Sequence, residues 1–566
     1  MSRISNNLNA SQYIIEKLID LGVEHFVISP GSRSTPLTVA VARNDRAKQT
    51  IHFDERGAAF HALGLAKGSK SPSVLVCTSG TAVANYFPAI IEAAMDNVPL
   101  FILSADRPPE LIGVGANQAI YQENIYGSYP RWYANLDPPD QGIDSDHLNA
   151  LLESMWSCAV EDYPGPAHLN CQFREPFLGS DQQLNDTIPQ RSESAMQERQ
   201  APIPEQHMQS LQSSINDAAT GLIVLGRHVL PKDQIGILAL AEQLNWPVLP
   251  DVQCSLRFKD HPSIINYFDL ALLKTGPKVE KPELVLQFGG AFTSKRLLTY
   301  LDDEAVFQIS VKASPEIIDP NHKLDLNIEG DISNLLDQLD VRDRSEADWL
   351  ERWRIINHSI RATIETYFQN SDDLSEPAIH HFISRALPKH HRLFLANSMP
   401  IRDMEMFAKV GVYEGQVYAN RGASGIDGLF ATTTGIAKGS GGPITAIIGD
   451  LAALHDLNSL ALCKPLSEQI IFIVINNHGG GIFNFLPITG ERDVFDEYFG
   501  TPHSLSFKQG ADMFGLAYSH PQNLSEFKSN FKETLQNGQS TLIEITTDRY
   551  ENHQLHKDIF KLIREH

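Results

Sequence analysis

The sequence predicts an α/β protein of three units, each a doubly wound parallel sheet with helices on both faces. Three observations predict it. Strand-like apolar runs alternate with helix-length segments along the 566 residues, the pattern of βαβ units. Runs such as Ile444-Thr445-Ala446-Ile447-Ile448 and Ile470 to Ile475 are almost continuously apolar, as strands buried on both faces are. Two stretches of different composition divide the alternation. One is rich in Gln, Ser, Glu, Asp and Pro, from about Leu178 to His207, and the other is the charged segment Glu346 to Tyr367. The expected domains are residues 1–185, 186–345 and 346–566.

In the first unit Ser11 is placed to cap a helix ending near Leu21, where Gly22 stops it. Val23 to Ser29 reads as a buried strand and runs into the turn Pro30-Gly31-Ser32-Arg33-Ser34. His52-Phe53-Asp54-Glu55 opens an Ala- and Gly-rich helix reaching about Lys67. Strand Val74 to Cys77, a helix near Val83 to Ala94 and strand Leu100 to Leu103 follow. The last of these leads into Ser104-Ala105-Asp106-Arg107-Pro108, and Pro166 to Asn170 reads as the unit's final strand.

The second unit begins at Gly221-Leu222-Ile223-Val224-Leu225-Gly226, with further strands at Pro247 to Leu249, Leu284 to Phe288 and Val306 to Val311. No Gly-x-Gly-x-x-Gly follows any of them, so no dinucleotide site is assigned. The bridging helix Glu346 to Tyr367 leads to a helix starting at Ser375-Glu376-Pro377. Strand Leu393 to Ala396 then ends in Asn397-Ser398-Met399-Pro400-Ile401-Arg402. After Asn420 to Gly428 come the strand ending at Gly449-Asp450, a helix Leu451 to Cys463, the strand Ile470 to Ile475 and a last strand near Leu542 to Ile545.

Composition bounds the function. A net charge of −23 argues against nonspecific binding to nucleic acid or anionic membrane. An anionic substrate would need locally placed cations, which singles out arginines on strand-end loops. The five cysteines are scattered, without Cys-x-x-Cys spacing, and read as reduced core residues of a cytoplasmic protein. The polar, Asn-rich start carries no apolar targeting region, and no apolar run approaches the roughly 20 residues that span a bilayer. His380-His381 and His390-His391 lack zinc spacing and are expected at the surface or at helix ends. Neither a nucleophile elbow nor a Walker loop is present.

The densest chemistry lies between Gly449 and Phe483. Asp450 and Asn477 are 27 residues apart (477 − 450), each where a strand ends. If the strands are parallel neighbours, both side chains emerge at the sheet's carboxyl edge, where α/β proteins bind ligands. A carboxylate, an amide oxygen and a carbonyl of the Gly479-Gly480-Gly481 loop form an oxygen-only set suited to magnesium and phosphate. The helix after Asp450 would point its N-terminal amides at that phosphate. The same residues are compatible with a ligand-free turn, so the rest of the chain must decide.

Gly449-Asp450, then Asn476-Asn477, resembles the signature of thiamine diphosphate enzymes, with Leu451 where a third glycine is usual. Glu55, opening an Ala/Gly-rich helix in the first unit, resembles the glutamate of that superfamily's pyrimidine-binding domain. Within it, the chain is most similar to the 2-succinyl-5-enolpyruvyl-6-hydroxy-3-cyclohexene-1-carboxylate synthases of menaquinone biosynthesis. The carrying segments are Ser29 to Ser34, Ser104 to Pro108, Gly115-Ala116-Asn117-Gln118, Asn397 to Asp403 and Asn420 to Gly428.

The resemblance implies pyrimidine-binding, middle and diphosphate-binding domains in that order, with thiamine diphosphate and Mg2+ (or Mn2+) as cofactors. It implies Asp450, Asn477 and a backbone oxygen of Gly479 as metal ligands. Glu55 would hold the pyrimidine nitrogen, Ile426 would prop the bent cofactor, and Gly449, Leu451 and Phe483 would complete its site. The family reaction takes 2-oxoglutarate and isochorismate, releasing CO2. Their carboxylates call for Arg33, Arg107, Arg402 and Arg421, because a guanidinium matches a carboxylate bidentately. Lys295 and Arg296 would add charge, and Ser32, Asn117, Gln118 and Ser398 would donate hydrogen bonds. Arg33, Arg107, Gln118, Arg402 and Arg421, with Glu55, are the expected catalytic set. In this superfamily the glutamate of one chain reaches the cofactor held by another, which implies a homodimer or homotetramer. Two other readings stay open: a different thiamine diphosphate decarboxylase or acetolactate-type carboligase, and a non-catalytic nucleotide-binding protein.

Overall fold

Ile444–Gly449 and Ile470–Asn476, two largely apolar runs, are hydrogen-bonded neighbours at the centre of a parallel sheet, with Gly449 level with Ile475. The computed structural model describes residues 3–178, 203–275, 281–343, 348–369 and 371–565. Most of the predicted linker, residues 179–202, lies outside them.

Three parallel sheets carry the fold. The first has six strands in the order Lys48–Ile51, His25–Ile28, Ser73–Cys77, Leu100–Asp106, Pro166–Gln172 and Trp132–Leu136. The second has five: Val248–Pro250, Gly221–Leu225, Leu284–Phe288, Phe307–Lys312 and Leu326–Glu329. The third has six: Val417–Tyr418, Arg392–Leu395, Ile444–Gly449, Ile470–Asn476, Thr541–Thr546 and Ala517–Ser519. The predicted architecture of three parallel α/β units is therefore observed.

The strands missing from the sequence reading are edge strands. Lys48–Ile51, Trp132–Leu136, Leu326–Glu329, Val417–Tyr418 and Ala517–Ser519 are half-exposed and mixed in polarity, so they lack the apolar signature of strands covered on both faces. Other expectations are corrected. The first helix spans Asn7–Asp20, and its cap is Asn6, whose side chain accepts from Asn9 N; Ser11 is buried within the helix. The helix after Asp450 stops at His455 and a 3-10 segment, Leu457–Cys463, follows. The break falls at Asp456, whose buried carboxylate accepts from Ala431 N at 3.0 Å and Ser459 Oγ at 2.7 Å. His380 and His391 are buried, not superficial: His380 Nδ1 bonds Glu376 O (2.7 Å) and His391 Nε2 bonds Thr445 Oγ1 (2.8 Å).

The outer units are joined by a crossing of two helices, Glu55–Ser69 and Leu429–Ser440. A Cβ on Gly64 would meet Thr432 O at 2.1 Å, one on Gly68 would meet Ile436 O at 2.6 Å, and one on Gly435 would meet His61 O at 2.1 Å. Glycine is used on both helices because the backbones themselves touch. The bridging helix Asp348–Gln369 packs on the middle unit, where Trp349 Nε1 donates to Gly221 O at 2.7 Å.

Candidate active site

Register makes the cradle. Because Gly449 pairs with Ile475, Asp450 and Asn477 leave the third sheet side by side at its carboxyl edge. Asp450 is buried. Its Oδ2 accepts from Gly479 N at 2.9 Å and lies 3.3 Å from His503 Nε2, and its Oδ1 accepts from Leu451 N at 2.7 Å. Burial raises its pKa, while the two backbone N–H bonds pull the other way. Gly479 has φ +151°, and a Cβ there would sit 2.1 Å from Gly500 O, so only glycine fits. The Gly479 carbonyl accepts from Gly481 N at 3.0 Å, which leaves it a second lone pair.

Asn477 supplies the decisive atom. Its Nδ2 donates to Glu376 Oε1 at 3.0 Å, and its Oδ1 is buried with no hydrogen-bond partner among the described residues. A buried amide oxygen without a donor is costly unless something else meets it. A carboxylate, this oxygen and a backbone carbonyl together fit a hard divalent cation. Glu376, which the sequence reading did not assign, fixes the amide's orientation. It is itself buried, accepts from Thr547 Oγ1 at 3.2 Å, and burial together with nearby Asp403 pushes its carboxyl up to about 7. In sequence it looks like a helix start, and nothing local ties it to a residue 101 positions away. Glu376→Leu is expected to weaken Mg2+-dependent cofactor binding roughly ten- to a hundredfold, and Glu376→Gln, which keeps an acceptor oxygen, far less. Equal losses in calorimetry would reject the orienting role.

These groups line a cavity of 360 Å³ that also takes in Gly449, Leu451, Ser398, Arg402, Arg421, Ile426 and Phe483. Ile426 is 39% exposed, so it is not a core residue. Arg402 donates to Ser398 O, and Arg421 Nη1 donates to Asn397 Oδ1 at 3.0 Å. Burial, and the proximity of Arg421, lower the Arg402 pKa. Neither arginine pairs with a carboxylate among the described residues. Arg402 also borders an 850 Å³ cavity lined by Lys295 and Arg296 of the middle unit. Arg296 is committed to Asp269, and its guanidinium lies 4.8 Å over the Phe560 ring.

The other expected residues gather on the first sheet's carboxyl edge, outside the lining of that cavity within one chain. Arg107 donates to Ser79 Oγ, and Gln118 Nε2 donates to Ser79 O at 3.0 Å. Arg33 Nη1 donates to Phe173 O at 2.9 Å, and burial with Arg107 nearby lowers its pKa. Ser32, Asn117 and Gln118 are exposed. Glu55 sits at the first turn of its helix, 3.5 Å from Asn85 Nδ2; Arg56 is held by His455 O at 2.6 Å and does not neutralise it. Ile51 (67% exposed) and Phe53 (63%) shortly precede it in the chain.

Models of thiamine pyrophosphate enzymes match all three units: the N-terminal TPP binding domain over residues 8–125, the middle domain over 184–395 and the C-terminal TPP binding domain over 405–545. Fold, cradle and matches together define a thiamine diphosphate-dependent enzyme, with a divalent metal alongside the cofactor. Among curated relatives, the 2-succinyl-5-enolpyruvyl-6-hydroxy-3-cyclohexene-1-carboxylate synthase of Rubrobacter xylanophilus is 41% identical, over 97% of both chains. The same-named proteins of Salinibacter ruber (39%, covering 96% of this chain and 95% of that one) and Shewanella frigidimarina (36%, 99% and 98%) are similar over nearly their full lengths. The chain belongs to this synthase family. Among the described residues, no helix is long and apolar enough to cross a membrane.

Proposed function

We propose that the enzyme decarboxylates 2-oxoglutarate and adds the remaining four-carbon unit to isochorismate, giving 2-succinyl-5-enolpyruvyl-6-hydroxy-3-cyclohexene-1-carboxylate and CO2. The observation that carries the substrate class is the pair Arg402 and Arg421. Among the described residues they are cations without carboxylate partners, and they line the cavity that holds Asp450 and Asn477. In a chain of net charge −23, such cations await an anion.

Asp450, Asn477 Oδ1 and the Gly479 carbonyl would hold Mg2+ or Mn2+, with Gly449 and Leu451 beside the diphosphate. Thiamine diphosphate held there would supply a carbon nucleophile and an electron sink for decarboxylation. Glu55 would hold a proton toward the pyrimidine ring, Ile426 would support the cofactor, and Phe483 would wall the pocket. Arg33, Arg107, Arg402 and Arg421 take the substrate carboxylates, with Gln118 completing the catalytic set. Lys295 and Arg296 add charge, and Ser32, Asn117, Gln118 and Ser398 orient oxygens. Glu55 lies outside the Asp450 cavity of its own chain, and the exposed apolar side chains of Ile51 and Phe53 shortly precede it in sequence. This supports a homodimer, or a pair of them, with each site shared between chains. The proposed domain limits are 1–185, 186–345 and 346–566. The five free cysteines support a cytoplasmic location.

The test mixes protein, cofactor, Mg2+ and both substrates and follows isochorismate absorbance and product mass. Consumption of 2-oxoglutarate without isochorismate would instead indicate a simple decarboxylase. Single Arg→Ala changes at 33, 107, 402 and 421 are each expected to raise KM for one substrate roughly ten- to a hundredfold, the loss of one charge-assisted hydrogen bond. Unchanged kinetics would remove that arginine from the site.

A further inference from the structure

The loop Asn420 to Gly425 presents Arg421 and Ser424 to the cavity. From inside, Asn397 holds both its ends: Nδ2 donates to Asn420 O and to Gly425 O, each at 2.7 Å. From outside, it is held by a different unit. Gly422 N donates to Glu92 Oε1 and Ala423 N to Glu92 Oε2, both at 2.7 Å. Glu92 lies on the Phe87–Met95 helix of the N-terminal unit and is 2% exposed. A Cβ on Gly422 would meet Glu92 O at 2.5 Å, so the loop is pressed against the helix backbone.

Two further buried charges complete the clamp. Lys67 Nζ donates to Ala419 O at 2.8 Å and Asn420 Oδ1 at 3.0 Å, and pairs with Asp96 at 2.7 Å. Asp96 in turn takes Arg227 Nη1 of the middle unit at 3.0 Å. A buried carboxylate is expensive, and both Glu92 oxygens are used on consecutive N–H groups of one loop.

We infer that Glu92 is a positioning residue for substrate binding: it sets where Arg421 points without touching substrate. This rests on the reading that Arg421 binds a substrate carboxylate. Misplacing a binding group by about 1 Å can cost as much as a hundredfold.

The test uses the full-length holoenzyme with Arg421→Ala, Glu92→Ala, Glu92→Gln and Gly422→Ala. Arg421→Ala first identifies the substrate whose KM it raises. Glu92→Ala is expected to raise the same KM about tenfold while the calorimetric Kd for thiamine diphosphate with Mg2+ stays within about twofold. Glu92→Gln, which keeps one acceptor oxygen, should fall between. If Glu92→Ala does not fold, Gly422→Ala, whose Cβ meets the Glu92 helix backbone and forces the loop away from it, carries the same test. An affected Arg421→Ala beside an unaffected Glu92 or Gly422 variant overturns the inference alone. So does a Glu92→Ala that loses cofactor affinity in step with KM, since that marks a general structural role. An unaffected Arg421→Ala removes the underlying substrate reading, and the inference with it.

Discussion

Asp450→Ala is expected to bind thiamine diphosphate no better with Mg2+ than without, a loss of more than roughly a hundredfold in metal-dependent affinity. Two effects add. The variant removes the only carboxylate in the proposed donor set, and it frees Gly479 N, whose bond to Oδ2 shapes the loop carrying the third ligand. Calorimetry with and without Mg2+ measures both. Retained metal-dependent binding would show that the cofactor is held elsewhere.

Glu55→Gln is expected to bind cofactor nearly normally and to lose turnover by about a hundredfold or more, the range typical of a proton-transfer group. The amide keeps the shape but cannot hold the proton that the pyrimidine nitrogen requires. Near-normal turnover would end that role. Since Glu55 lies outside the Asp450 cavity of its own chain, a sharper outcome is available. Glu55→Gln and Asp450→Ala proteins, each inactive, should regain activity when mixed and allowed to exchange subunits. One site of each hybrid dimer is then intact, roughly a quarter of wild-type activity at full exchange in equal amounts. No recovery despite demonstrated exchange would place both residues in a single chain's site.

What could be read beforehand follows from physical chemistry. Asp450 and Asn477 could be paired in advance because two apolar runs of equal character, joined by a short helix, become parallel neighbours and bring their ends together. The edge strands could not, because half-exposed segments carry no periodic signal. Nor could Glu376, His503 or Glu92. Each acts through a partner far away in sequence: Asn477 for Glu376, Asp450 for His503 and the Gly422–Ala423 amides for Glu92. Asn397 was visible as part of a motif, but its hold on both ends of the Arg421 loop was not. Asn6 and Ser11 are both good cap residues, so sequence alone does not choose between them; the helix starts at Asn7 and buries Ser11.

The glycine crossing between the outer units also orders events in time. Gly57 to Ala66, on the helix that begins at Glu55, are all buried, and six of these ten residues are Ala or Gly. The helix that covers it begins 374 residues later, at Leu429 (429 − 55). At about 5–20 residues per second, a ribosome takes roughly 20–75 s to make that stretch. For that interval the emerging N-terminal unit carries an uncovered helix whose glycines lack their backbone partners, and Lys67 and Glu92 wait for a loop not yet translated. Vectorial synthesis thus makes catalytic competence one of the last properties the nascent chain acquires. Any chain ending before Leu429 leaves its first unit permanently unclosed.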